Sequence, residues 1–248
     1  MKLTEYDIVY QSNDLRAVLY PSADNPRQLF CEFDYLDNAR DGFPDIRPKP
    51  SMVNRGFSVL RIDTSSNNWF LSGDIPAFKS MLNSLSQNYE CCSSIAFSMG
   101  VAAALMFSND LKLDRIMAFS PVVSIFEDDI RDRRFKSFRK YVENPEFRHM
   151  WKDGNRGLKG GVCYDPFVPV DVDQARLIQH YYNGMRPVAL PFGGHPCTRV
   201  IKEVKGFQSI QNLVVQGCFE SADIRQLHRD CRRDSAIYKN NLCKKQSI

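Results

Sequence analysis

The chain has 248 residues, 43% of them apolar and 25% charged, with a formal net charge of +4. That length supports one sizeable core and a single domain over residues 1–248 rather than two domains, and with no apolar run of about 18 residues no membrane-spanning helix is predicted. The opening "MKLTEYDIVYQSND" does not read as a secretion signal, and eight cysteines are scattered without CxxC or zinc spacing, so reduced core cysteines in a cytoplasmic protein are expected.

In chain order, "YDIVYQ" and "RAVLYPS" read as two short strands joined as a hairpin through "SNDL". "QLFCEFDY" is a third strand, and "FSVLRIDT", after a turn-rich stretch, is a fourth. In "IPAFKSMLNSLSQNY" the residues Ile75, Phe78, Leu82 and Leu85 recur at helical spacing, with Asp74 as expected N-cap and Pro76 in the first turn. "CSSIAFS" is a fifth strand, "MGVAAALMFSND" a helix and "LDRIMAFSP" a sixth strand. Residues 122–160 are polar, basic and aromatic and too long for an ordinary loop, so a helical, lid-like insertion over one end of the sheet is expected. "GGVCYDP" is a seventh strand, "DVDQARLIQHYY" a helix, "RPVALPF" an eighth strand, and the chain from Thr198 reads mostly as helix. After the hairpin, strands alternate with helices, which predicts an α/β fold: a mostly parallel sheet of about eight strands with helices on both faces.

In open parallel sheets the ligand lies beyond the carboxyl ends of the strands. Three chemically apt residues follow predicted strands: Ser98 after the fifth, Asp165 after the seventh and His195 in "LPFGGHP" after the eighth. Together they are the parts of nucleophilic acyl transfer, in which imidazole takes the hydroxyl proton while a carboxylate fixes the ring's tautomer. Small residues, Ala96 and Gly100, stand two positions either side of the serine, where main chain must pass close. Each residue has a plainer reading. Ser98 would cap the helix that follows, and Asp165, before Pro166, would start a turn. Asp171 and Asp173 are rival acids or caps of their own helix. Ser120 also ends a strand, but Pro121 argues against a nucleophile turn there, and His149, His180 and His228 read as surface or core residues.

On these motifs residues 29–200 resemble the α/β-hydrolase superfamily. "AFSMG" is similar to its G-x-S-x-G nucleophile elbow with alanine for the first glycine, "YDPFVPVDVDQA" resembles its acid-bearing turn, and "GGHP" its histidine loop, in the order Ser…Asp…His. The resemblance implies an oxyanion hole from the backbone N–H of Met99 and a second donor after the third strand, Leu36 with Tyr35 or Asp37 as neighbours. "DYLDNARDGF" stands where lipases carry a His-Gly motif. Tyr35 and Trp69 are expected to line the substrate pocket, with Trp151, Phe135, Phe138 and Tyr141 as a lid floor or as ordinary packing of the insertion.

The implied function is a serine hydrolase cleaving a carboxylic ester of a small molecule, glycan or lipid through an acyl-enzyme on Ser98. The alternatives are an acyltransferase of the same fold and a non-catalytic module that binds through its basic segments. No metal-ligand cluster or phosphate-binding glycine loop stands out, so no metal or cofactor is expected. The basic runs "RDRRFKSFRK" and "RQLHRDCRR" carry no nucleic-acid module signature.

Overall fold

The computed structural model describes residues 6–24, 27–46, 50–142, 145–217 and 220–246. Eight strands form one sheet: β1 (Asp7–Gln11), β2 (Leu15–Tyr20), β3 (Gln28–Phe33), β4 (Ser58–Thr64), β5 (Cys91–Phe97), β6 (Arg115–Phe119), β7 (Lys159–Tyr164) and β8 (Met185–Ala189). Their spatial order is β1-β2-β4-β3-β5-β6-β7-β8. β2 pairs antiparallel with β1 and with β4, and every other pairing is parallel, which matches the expected mostly parallel α/β sheet.

Seven α-helices flank the sheet among the described residues: α1 (Ile75–Ser86), α2 (Met99–Met106), α3 (Pro169–Tyr181), α4 (Arg199–Lys205), α5 (Gln208–Val215), α6 (Ser221–Cys231) and α7 (Ala236–Gln246). Successive strand residues point to opposite faces and feed two cores. In β6, Ile116 and Ala118 join a cluster with Phe78 of α1, Ile178 of α3 and all of α2 except Gly100. Met117 and Phe119 face the other way, onto Val200 and Ile201 of α4, Ile210 of α5 and Ile224 of α6. The C-terminal helices therefore form the second layer, without which one sheet face would lie open to water. α2 is buried along its whole length, which is why it is apolar on every side.

Two local expectations change. Asp74 occupies the N-cap position of α1 but makes no capping bond; its carboxylate accepts from the Ser72 hydroxyl at 3.4 Å. Among the described residues of the expected 122–160 insertion there is no α-helix: 3-10 turns occur at Lys136–Tyr141 and Pro145–Asp153, and residues 159–160 already belong to β7. The segment is held by side chains instead: Arg139 Nε donates to the Ile125 carbonyl at 2.7 Å, and Gln174 of α3 bonds to the backbone of Val123 and Ser124. No helix among the described residues is long and apolar enough to cross a membrane.

Candidate active site

The carboxyl end of β5 turns sharply into α2 at Ser98, whose backbone sits at φ 48°, ψ −120°. Positive φ at a residue with a Cβ costs about 1–2 kcal/mol. The conformation is held by neighbours: the Ser98 amide donates to the Phe119 carbonyl at 3.1 Å, and its carbonyl accepts from Val101 at 3.2 Å and Val122 at 3.1 Å. The hydroxyl makes no capping bond to α2, so the cap reading does not describe this serine. Gly100 explains the small residue after it. A Cβ there would lie 2.7 Å from the Asp34 carbonyl, so only glycine lets α2 pack against the end of β3.

Ser98 and His195 line one cavity of about 490 Å³ at the carboxyl ends of the strands, together with Tyr35, Leu36, Phe135 and Lys202. A cavity of the same volume opens at the amino ends, against Cys91, Asp114 and Lys159, and contains neither Ser98 nor His195.

The imidazole's partner differs from the one expected. His195 Nδ1 lies 2.9 Å from Asp171 Oδ2, and Asp171 is fully buried in the first turn of α3. Since a carboxylate only accepts, Nδ1 carries the proton and Nε2 is left with the lone pair in the neutral ring. Asp165, the expected acid, is occupied otherwise: its oxygens accept the Phe167 amide at 2.9 Å and the Gly194 amide at 2.6 Å. Ser120 matches its plainer reading. Buried and engaged, its hydroxyl oxygen accepts the Cys197 amide at 2.8 Å. Asp165 and Ser120 thus pin the histidine loop on both sides of His195. Gly193 and Gly194 fit that loop, because a Cβ on Gly193 would lie 2.3 Å from the Cys197 carbonyl and Gly194 has φ 75°.

The second oxygen of Asp171 receives Arg134 Nη2 at 2.8 Å, and the same guanidinium grips both oxygens of buried Asp132. Nothing in the residue pattern singled out Arg134; the one available signal is an aspartate, Asp132, inside an otherwise basic run. Phe135 follows on, 6.3 Å from the His195 ring, so the 122–158 segment supplies both a cavity wall and the carboxylate's counter-charge.

On the other side, the turn after β3 is fixed by two residues that were also missed. Arg40 pairs with Asp34 and donates to the carbonyls of Thr64 and Tyr35, both at 2.9 Å. Burial pushes the Asp34 carboxyl up, and the guanidinium beside it pulls the other way. Asn67 brackets Asp37, accepting its amide at 3.2 Å and donating to its carbonyl at 2.8 Å. The Tyr35 amide goes to Asp34 Oδ1 at 2.9 Å. Of the three amides considered, those of Tyr35 and Asp37 are therefore taken, which leaves Leu36. Met99, buried at the first position of α2, carries one of the amides that a helix cannot satisfy internally.

Tyr35 lines the cavity, half exposed. Trp69 does not: it is 2% exposed, its indole N–H donates to the Val122 carbonyl at 2.8 Å, and its ring packs 5.7 Å from Phe135, behind the wall. The other imidazoles lie elsewhere, His149 against Asp129, His180 beside Tyr181 and His228 in the second core.

No protein-family model matches the sequence, and no curated protein matches it in sequence. Solved structures do match in shape. The capsule O-acetyltransferase of Neisseria meningitidis serogroup A superposes with TM-score 0.54 at 12% identity, over 84% of this chain and 93% of that one. Acetyl xylan esterase 1 from Thermoanaerobacterium sp. JW/SL YS485 superposes with TM-score 0.51 at 13% identity, over 87% of this chain and 88% of that one. With its strand order, its antiparallel second strand and these likenesses, the chain has the α/β-hydrolase fold.

Proposed function

We propose that the protein is a serine hydrolase that cleaves a carboxylic ester through an acyl-enzyme on Ser98, with His195 as general base and Asp171, in place of Asp165, as the acid that orients it. The observation that carries this reading is the pairing of a serine held at φ 48° with an Asp171-bound imidazole on the walls of one cavity.

In the first step His195 Nε2 takes the Ser98 Oγ proton as the oxygen bonds to the ester carbonyl carbon. Asp171 accepts from Nδ1 throughout and stabilises the imidazolium. The carbonyl oxygen, now negative, is received by the amides of Met99 and Leu36; each such donor is worth roughly 3–4 kcal/mol in the transition state. The intermediate collapses, the C–O bond to the alcohol breaks, and the imidazolium hands its proton to the departing oxygen. Water then attacks the acyl-enzyme with the same base, releasing the acid and restoring Ser98.

Residues 122–160 serve as the lid, as the place of Phe135 in the wall and of Arg134 on Asp171 supports. The substrate is a small-molecule or carbohydrate ester. A cytoplasmic setting fits the thiols of Cys31, Cys92, Cys163, Cys197 and Cys231, all buried and unpaired by disulfides.

A fluorophosphonate probe tests the reading: wild-type protein is labelled, whereas S98A is not and H195A reacts far more slowly. Equal labelling of wild type and S98A ends the proposal. An acyltransferase would pass the acyl group to an alcohol instead of water; the same fold carries such an activity in the meningococcal enzyme. Product partition between free acid and transferred ester, with candidate alcohols added, separates the two.

A further inference from the structure

The cavity beside Ser98 has an uneven charge. Among the described residues no aspartate or glutamate lines it, and its one lysine is Lys202, on α4. Lys205, one turn further along the helix, is paired with Asp230 at 3.5 Å, whereas no ion pair among the described residues takes Lys202. Its ammonium lies instead over two rings, 5.8 Å from the centroid of Phe97 and 5.5 Å from that of Phe207. Those rings are themselves fixed: their centroids are 5.7 Å apart, and Phe97 stacks on Phe119 at 5.2 Å. Phe97 directly precedes Ser98, so the aromatic platform under the ammonium continues the strand that carries the nucleophile.

Lys202 is exposed, and a cation resting on ring faces at such a site is held in place while it retains its capacity for an anion. With no carboxylate on the wall to neutralise it, the complementary partner must arrive with the substrate. We propose that the ester this protein acts on carries a negatively charged group, a carboxylate or a phosphate, and that Lys202 recognises it. The inference rests on Ser98 and His195 forming the reacting centre, and it adds a specificity-determining residue to that centre.

Matched ester pairs test it, with kcat/KM measured for wild type, K202M and K202R. 4-Nitrophenyl hemiglutarate against 4-nitrophenyl pentanoate places the carboxylate on the acyl side. 4-Acetoxybenzoate and 4-acetoxyphenyl phosphate against phenyl acetate place a carboxylate or a phosphate on the alcohol side. In wild type at least one anionic ester is expected to be preferred over its neutral partner by about tenfold, the scale of one partly screened ion pair. That preference shrinks with added salt, falls close to unity in K202M and is largely kept in K202R. Neutral esters winning in every pair, or a preference that survives K202M, overturns the proposal. If no ester is turned over and no probe labels Ser98, the hydrolase reading fails by itself. Lys202 is then judged by calorimetry on the unmodified protein. Phenyl phosphate or benzoate binding about tenfold more tightly than benzyl alcohol, with the difference lost in K202M, supports the anion site. Equal binding of charged and neutral ligands sinks it.

Discussion

At the scale of single residues, two aspartates near His195 divide two tasks, and substitution separates them. Asp171 bonds to the ring; Asp165 bonds only to backbone amides of the loops around it. D171N loses the acceptor that selects the reactive tautomer, so kcat is expected to fall by about a thousandfold or more with the fold intact. D165N leaves the ring's partner in place and slackens the loop, costing about 1–3 kcal/mol of stability and less activity. Thermal melts and kcat on one neutral ester check both; the reverse pattern would return Asp165 to the acid's role. Arg134 is a third case. R134Q leaves two buried carboxylates, Asp132 and Asp171, without their shared cation. Because the guanidinium is 32% exposed and partly screened by water, the expected loss is about 2–3 kcal/mol rather than the larger figure for a sealed pair. R134K keeps the charge but not the fork, and should fall between the two in a urea titration.

At the scale of elements, the close passage of α2 over the end of β3 makes a prediction that opposes helix propensity. Alanine is the better helix former by about 1 kcal/mol, yet a Cβ at Gly100 would press on the Asp34 carbonyl and displace the turn that carries Leu36. G100A is therefore expected to melt lower, not higher, and to lose about 100-fold in kcat/KM, the scale of an ångström of misplacement. A raised melting temperature with full activity would mean that the two elements can part without consequence. The sharp turn at Ser98 is legible in "AFSMG" because its constraints are local: small flanking residues, a strand before and an apolar helix after. The strands are legible for a similar reason, since burial on both faces leaves continuous apolar runs such as "IAF" and "IMAF". Asp165 stands out because it directly follows β7, while the group that reaches His195 sits in the first turn of α3, where an aspartate reads as a cap. Which carboxylate arrives depends on the path of the loop between them, and no spacing encodes that. The 122–158 segment misled in another way. Its aromatic and basic residues suggest a helix, yet Phe135 lines the cavity, Arg134 bonds to Asp171, and Arg139 divides between the Ile125 carbonyl and Glu127. Such long-range partners are invisible until the chain is folded.

At the scale of the whole molecule, the second helical layer holds a buried group that makes its stability depend on pH. His228 of α6 is fully buried, within 6.2 Å of the Tyr238 ring, with Arg232 Nε 3.4 Å from its Nδ1. Burial, helped by the Arg232 charge, pulls its pKa down from 6.5 to about 4. The folded protein thus holds this ring neutral in a range where the unfolded chain would protonate it. The sign follows: the contribution is fully present above pH 6.5 and is lost as pH falls towards about 4. Its full extent is about 3 kcal/mol, a large share of an ordinary domain's margin. Carboxylates add slopes of their own, so the group is isolated by comparison. In H228Q, urea midpoints measured between about pH 7.5 and 4.5 should decline less steeply than in wild type, the two curves converging as the pH drops. Parallel curves would assign the acid sensitivity elsewhere. α4 belongs to the same layer and brings Lys202 to the cavity, while α6 packs against it across the second core. Acid that loosens the layer should therefore weaken any discrimination between charged and neutral esters before it unfolds the sheet. Measuring that ratio from pH 7 downward in wild type and H228Q tests the coupling: a ratio that falls at the same pH in both proteins breaks the link between His228 and the cavity.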